Sequence, residues 1–433
     1  MAKKFPIVEV RLDKIVGGGQ ALGQLDNGKK IFVWGGLPGE LVHVQITKQK
    51  SSYAEGRVTD VIEASTQRIE PHDPESYLST SPWQIMSPDA EQHYKAALIE
   101  EAFELHDIVL PDPIEVFSDG NRYEYRNKLE FSWYGHEQNG QEVLDLSFFV
   151  RGSKGKIPVS QMSLARPEIV KSALAIRDLL RTKNITARNL KTLLIRSDQR
   201  GQTIWQLYIK DEIKNLITDS EANNLPSIGG EVIFSDPKSP ASRITKRLRH
   251  YGQLVLNDDI LGVRFRYATE GFFQVNIPVY EAALAEMKQW VGQKNMIDLY
   301  SGVGTIGLTI GGENTIFVEI DENAVREMNE NIVRLGKDAH AVHAPSEAAL
   351  EYITSDKIIV VDPPRAGLHT AVIDQLLEAK PQRIVYLSCN PVTQARDVAL
   401  LAEKYGIRVH KGFNFFPCTP HIEHLVVLDL KAQ

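Results

Sequence analysis

The sequence predicts a multidomain α/β protein: a small N-terminal β-barrel, a β-rich central domain and a C-terminal doubly wound α/β domain. Three observations predict it. Short apolar runs of period two, broken by glycine turns, fill residues 5–65. Strand-type segments dominate residues 124–265. From about residue 272 short apolar strands alternate with helical stretches, the pattern of a mostly parallel sheet covered on both faces.

In the first segment, Val8-Glu9-Val10-Arg11-Leu12 alternates, and Gly17-Gly18-Gly19 and Asp26-Asn27-Gly28 supply turn chemistry. Further strands are read at residues 30–33, 40–44 and 54–58. Short strands packed into some sixty residues predict an OB-like barrel, a form that often presents a face to nucleic acid. Pro71, Pro74, Pro82 and Pro88 mark an irregular connector over 66–88. Tyr94, Leu98, Ala102 and Leu105 recur at helix spacing and predict a helix over 90–106. A second helix is expected over 169–181. In the C-terminal half, strands are expected at 296–300, 316–319, 358–361 and 384–388, with a last strand from about Leu425.

With 433 residues, the chain has room for about three domains of ~150 residues. A hydrophobic content of 42% and a charged content of 24% are those of a soluble globular protein. No apolar run reaches the ~20 residues that span a bilayer, so no membrane role is expected. Charged residues from Glu9 onward exclude a signal-peptide core near the start. Two cysteines cannot build a disulfide framework, which makes a reducing cytoplasm the expected compartment. The net charge of −7 argues against a globally basic nucleic-acid binder. The densest basic run, Arg243-Ile244-Thr245-Lys246-Arg247-Leu248-Arg249-His250, is either a solvated face or a local RNA contact.

Open α/β sheets bind ligands at the carboxyl ends of their strands, so the residues there carry the functional argument. The first strand ends in Asp298-Leu299-Tyr300-Ser301-Gly302-Val303-Gly304-Thr305, a glycine loop that lets backbone approach a ligand. The second ends at Glu319, a carboxylate suited to ribose hydroxyls or merely a surface acid. The next ends in Asp362-Pro363-Pro364-Arg365, where two fixed φ angles stiffen the turn. The following strand ends in Ser388-Cys389-Asn390-Pro391. Cys389 is a nucleophile or a packed thiol when taken alone; its place on an edge shared with the other three favours the nucleophile. Glu423 precedes the last strand and is a candidate base, with His421 and His424 as alternatives. These two histidines lack the further ligands that a metal site needs.

In combination, Phe272-Phe273-Gln274-Val275-Asn276, the Asp298–Gly304 loop, Asp362-Pro363-Pro364-Arg365, Ser388-Cys389-Asn390-Pro391 and His421-Ile422-Glu423 resemble the S-adenosylmethionine-dependent RNA 5-methyluridine methyltransferases. The N-terminal barrel resembles a TRAM domain, and Tyr125-Arg126-Asn127-Lys128 extends the likeness into the central region. The resemblance implies a TRAM domain over 1–65, a central RNA-binding domain over 66–91 and 124–265, and a Rossmann-like methyltransferase domain over 92–123 and 266–433. It implies Cys389 as nucleophile, Glu423 as general base, and Gln274, Tyr300, Thr305, Glu319 and Asp362 as cofactor-binding residues. Asp362 and Gln274 are also expected to touch the target uracil.

Many members of that family hold an iron–sulfur cluster on four cysteines. Here the corresponding segments, Tyr77–Met86 and Pro158–Leu164, have none; no cluster and no metal are expected, with Trp83 and Met162 packing in place of ligands. The proline turn also lacks the second cysteine typical of RNA cytosine-C5 enzymes, so uridine is the expected base. The chemistry needs a thiolate, and Arg365 is the expected source of positive potential. The resemblance favours ribosomal RNA (23S) as partner over transfer RNA, and a monomer. A different methyl acceptor, or an RNA-binding factor without catalysis, are the rival readings.

Overall fold

The computed structural model describes residues 5–153, 155–183, 185–213, 215–292 and 295–432. The chain forms two compact units: residues 1–91, 122–256 and 417–420, and residues 92–121, 257–416 and 421–433. The chain leaves the first unit after Glu91, rejoins it at Arg122 and leaves it again after Leu256.

In the first unit, β1 (Ile7–Ile15), β2 (Ala21–Gln24), β3 (Lys30–Trp34), β4 (Leu41–Gln49) and β5 (Tyr53–Glu63) close a barrel in the order β1-β2-β3-β5-β4. Alternate residues fill it: Val10, Leu12, Ile31, Val33, Val42 and Val44 are all buried, as a small barrel requires. A short helix, α1 (Tyr77–Thr80), lies in the proline-rich connector. The chain then passes through α2 (Pro88–Glu104) and β6 (Val116–Phe117), which contribute to the second unit. It returns as β7 (Lys128–Gln138), β8 (Gln141–Phe149), β9 (Lys156–Pro158), α3 (Pro167–Arg181), β10 (Leu190–Ser197), β11 (Thr203–Ile209), α4 (Asp219–Asn223), β12 (Gly229–Phe234) and β13 (Lys246–Gly252). The strands form one seven-stranded sheet, β13-β12-β11-β10-β7-β8-β9. α3 lays Ile169, Ala173, Ile176 and Leu180 into one core with Leu193, Ile195 and Leu207 of that sheet.

The connector is held by polar contacts. Gln84 Nε2 donates to Asp73 Oδ2 at 2.9 Å, Ser81 Oγ at 2.7 Å and Ser163 Oγ at 3.2 Å. Ser163 donates its hydroxyl to the same Asp73 oxygen at 2.6 Å. Trp83 and Met162 are both buried, and the Trp83 indole donates to Gly19 O of the barrel at 2.9 Å. The basic run also has a structural explanation. Lys246 pairs with Glu212, Arg247 with Glu231 and Arg249 with Asp219, so much of its charge is spent inside the unit.

In the second unit the chain continues through β14 (Val255–Ile260), β15 (Val263–Ala268), α5 (Ile277–Val291), β16 (Met296–Leu299), α6 (Thr305–Ile310), β17 (Thr315–Glu319), α7 (Glu322–Leu335), β18 (Ala339–His343), β19 (Ile358–Val361), α8 (Thr370–Ala379), β20 (Arg383–Ser388), α9 (Pro391–Leu401), β21 (Tyr405–Phe413) and β22 (Glu423–Leu430). An eight-stranded sheet runs β18-β17-β16-β19-β20-β22-β21-β6. The strands from β18 to β20 are parallel, and β22 enters antiparallel between β20 and β21. α2 buries Ile99, Ala102 and Phe103 in this unit's core. It ends two residues earlier than its spacing suggested: Leu105 is 73% exposed, and Asp107 takes φ +58°, which turns the chain away.

β22 corrects the sequence reading at its start. Pairing of Phe413 with Glu423 extends the ladder two residues beyond Leu425, so Glu423 is the first residue of the strand rather than part of the loop before it. Gly307 is also fixed by packing: a Cβ there would lie 2.3 Å from Phe317 Cε1 on the neighbouring strand. Gly307→Ala is therefore expected to cost about 1–3 kcal/mol, read as a lower urea midpoint with an unchanged slope. An unchanged midpoint would contradict this packing account.

Candidate active site

The residues singled out at strand ends converge because the parallel strands end on one edge. Leu299 of β16 pairs with Val361 of β19, so Tyr300 and Asp362 leave the sheet side by side. Ser388 of β20 pairs with His424 of β22. That register brings Cys389, one residue past β20, beside Glu423.

The glycine loop is shaped by backbone conformation. Gly302 and Gly304 have φ +55° and +84°, and Tyr300, which is not glycine, has φ +64°. A bulky residue in that region stores strain, a feature that clusters at ligand sites. The Tyr300 hydroxyl accepts from Ser346 Oγ at 2.7 Å. Glu319 closes the loop: Gly302 N–H donates to its Oε2 at 2.9 Å and Asp321 N–H to its Oε1 at 2.8 Å. Each carboxylate oxygen keeps a free lone pair for a ligand hydroxyl. Thr305 opens α6, and its hydroxyl lies 2.8 Å from the Tyr280 hydroxyl. Gln274 is buried.

The polar interior of the site is acidic. Asp298 is fully buried; Gly307 N–H donates to its Oδ2 at 2.9 Å, and its Oδ1 has no partner among the described residues. Burial, then the Asp362 and Glu319 carboxyls, push it up to about 8 against the single opposing hydrogen bond. Burial pushes Asp362 up to about 7. Glu423 is driven well above the ordinary carboxyl value by burial and by Asp362, with Arg365 opposing. Its Oε2 also lacks a partner among the described residues. Tyr280 stands in the field of the same three acids, Asp362, Asp298 and Glu423.

Cys389 is half-buried, and its thiol is pushed up to about 11 by burial, Glu423 and Asp362. Arg365 lowers it, as expected from the sequence, but does not win. The expectation that the site itself favours the thiolate is thus corrected: two neighbouring carboxyls and a low-dielectric wall oppose the negative charge. Of the alternative bases, His424 does not share the site. It is fully buried beside Gln394 and His410, since successive strand residues face opposite sides.

α9 organises this edge. Asn390 Nδ2 and Thr393 Oγ1 both donate to Arg365 O, at 2.8 and 3.1 Å. Asp397 accepts from Leu368 N–H and from the Tyr386 hydroxyl, both at 2.8 Å. The helix after Cys389 thereby holds the turn after Asp362. Sequence reasoning missed Asp298, Tyr280 and these helix residues. Asp298 sat in a motif but was read as strand, and Tyr280 carried no signal beyond helical core spacing. Among the described residues no group of His, Cys, Asp or Glu is arranged to hold a metal ion.

Residues 347–431 match the family model tRNA (Uracil-5-)-methyltransferase, and residues 4–59 match the TRAM domain. The whole chain is 27% identical to an RNA methyltransferase of Fusobacterium nucleatum over 100% of this chain and 97% of the relative. It is 28% identical to one of Clostridium tetani over 93% of each. The crystal structure of Pyrococcus abyssi tRNA (uracil-54, C5)-methyltransferase in complex with S-adenosyl-L-homocysteine shares the fold, with TM-score 0.80 over 97% of this chain and 100% of that one, at 20% identity.

The raised Asp298 carboxyl gives a stability prediction. The folded state holds a proton from about pH 4 to about 8 that the unfolded state releases, so this group's contribution is full below its unfolded value and is lost as pH rises. Wild-type stability to urea should fall more steeply between pH 5 and pH 8 than that of Asp298→Asn. Parallel pH profiles for the two proteins would contradict the assignment.

Proposed function

We propose that this protein methylates C5 of uridine in RNA, using S-adenosylmethionine as donor and Cys389 as a covalent nucleophile. The observation that carries the reading is the placement of Cys389 beside Glu423 at the ends of β20 and β22, with Asp362 alongside.

The donor pocket fits the residues present. The positive-φ loop lets backbone approach a ligand, Glu319 has acceptor capacity for ribose hydroxyls, and the unpartnered Asp298 Oδ1 and raised Asp362 favour a cation nearby. S-adenosylmethionine, when bound, supplies an electrophilic methyl group on a positively charged sulfur. Gln274, Tyr300, Glu319 and Asp362 would hold it, while Thr305 acts through Tyr280.

C5 of uracil is a weak carbon nucleophile. A bond from Cys389 Sγ to C6 pushes the C5–C6 electron pair toward O4 and makes C5 an enolate carbon. With the donor bound, C5 would attack the methyl carbon as the methyl–sulfur bond breaks, its electron pair staying on sulfur as a neutral thioether. Glu423 removes the remaining C5 proton, the double bond re-forms, and the C6–S bond breaks. A carboxylate with a raised pKa is suited to that step. The thiol must lose its proton for attack, and Arg365 is the protein's cation opposing its raised pKa. A target stacked in folded RNA has to be flipped out to reach this depth. The exposed ring of Phe272 (67%) supports a stacking role for it on a displaced base. The TRAM barrel supports an RNA partner, with ribosomal RNA favoured; the name of the matching family model supports transfer RNA as the second reading.

The test is transfer of labelled methyl from S-adenosylmethionine to unmodified ribosomal and transfer RNA, followed by nucleoside analysis. Label is expected in 5-methyluridine and to be lost in Cys389→Ala, which should still bind the donor. The RNA that carries the label identifies the substrate. Full activity of Cys389→Ala, or label in another nucleoside, would overturn the mechanism.

A further inference from the structure

α9 carries a buried amide that the reaction scheme leaves idle. Gln394 is fully buried, one turn into the helix that follows Cys389. Its Nε2 donates to Tyr386 O of β20 at 3.0 Å and to His424 O of β22 at 2.9 Å. Its Oε1 lies 2.7 Å from His424 Nδ1. Two carbonyl partners fix the orientation of the amide, because only its NH2 end can donate to them. Oε1 is therefore the acceptor, and His424 Nδ1 must carry the proton. On its other side His424 Nε2 lies 3.5 Å from His410 Nδ1, and His410 Nε2 donates to Asp112 O at 2.9 Å.

One side chain thus ties together the end of the strand before the nucleophile, the helix after it, and the second residue of the strand that begins with Glu423. We propose that Gln394 is a positioning residue for the proton-abstraction step. It sets the distance between the Glu423 carboxyl and the carbon held by Cys389. The need for it follows from the fold. Glu423 is the first residue of β22, a place where a strand frays, and its Oε2 has no partner among the described residues. The same helix holds the Asp362 turn through Asn390, Thr393 and Asp397, so α9 fixes the nucleophile against both carboxyls. Attack by Cys389 depends on the end of β20, where the Gln394 contact to Tyr386 O only adds to the ladders with β19, up to Tyr386, and with β22, up to Ser388. Removal of the C5 proton depends in addition on β22, where the amide acts.

The proposal rests on the roles given to Cys389 and Glu423. It predicts a split between steps in Gln394→Met, which keeps the volume and removes the three hydrogen bonds. With RNA carrying deuterium or hydrogen at uridine C5, the variant should form the covalent adduct within ~3-fold of the wild-type rate. It should release product at least ~10-fold more slowly, since small misplacements of a reacting group cost this much or more. The adduct should accumulate, and a larger C5 isotope effect on turnover should appear. Gln394→Glu, which keeps volume and an acceptor but loses the paired donors, should show the same pattern and serves if Gln394→Met does not fold. Adduct formation and turnover falling in parallel, with an unchanged isotope effect, would show a merely structural role and overturn the proposal. Wild-type protein that forms 5-methyluridine without any adduct would overturn the site reading, and the proposal with it.

Discussion

The antiparallel entry of β22 between β20 and β21 is the constraint on which the rest of the site depends. A purely parallel sheet would place only strand C-termini on the ligand edge. Because β22 runs the other way, its first residue arrives there instead, and the Ser388–His424 register sets Glu423 beside Cys389. A thiol and a carboxyl are thus set side by side by main-chain pairing rather than by loop conformation. α9 adds side-chain hydrogen bonds to both flanks of the same edge.

That geometry carries an electrostatic cost. Burial raises Asp298, Asp362 and Glu423, the Asp362 carboxyl raises the other two further, and Arg365 is the cation that opposes the shift at Glu423 and at Cys389. Buried carboxyls without enough counter-charge hold their protons. A ligand with positive charge would relieve the strain, ionise the acids and ease removal of the Cys389 proton.

Much of this was legible in the sequence. Glu319, Asp362 and Cys389 each end a short apolar run, and a parallel sheet necessarily collects such ends on one edge. The barrel was legible from glycine turns between alternating strands. Glu423 was singled out beside His421 and His424 and through the chain's resemblance, but was not legible as a strand residue. Its neighbours His421 and His424 break the apolar pattern, and only the pairing with Phe413 extends the strand. The basic run 243–250 read as a possible RNA contact because its partners, Glu212, Asp219 and Glu231, lie on other segments. Gln394 gave no signal, since a polar residue on a helix reads as exposed until a second strand is seen to cover it.

The most direct test is to trap the intermediate. RNA with 5-fluorouridine at the target site, incubated with the protein and S-adenosylmethionine, presents Glu423 with fluorine where it should find a proton. The account predicts a denaturant-stable, methylated protein–RNA complex whose cross-linked peptide contains Cys389 by mass spectrometry. A complex linked through another residue, or methylation of the RNA with no covalent complex, would contradict it.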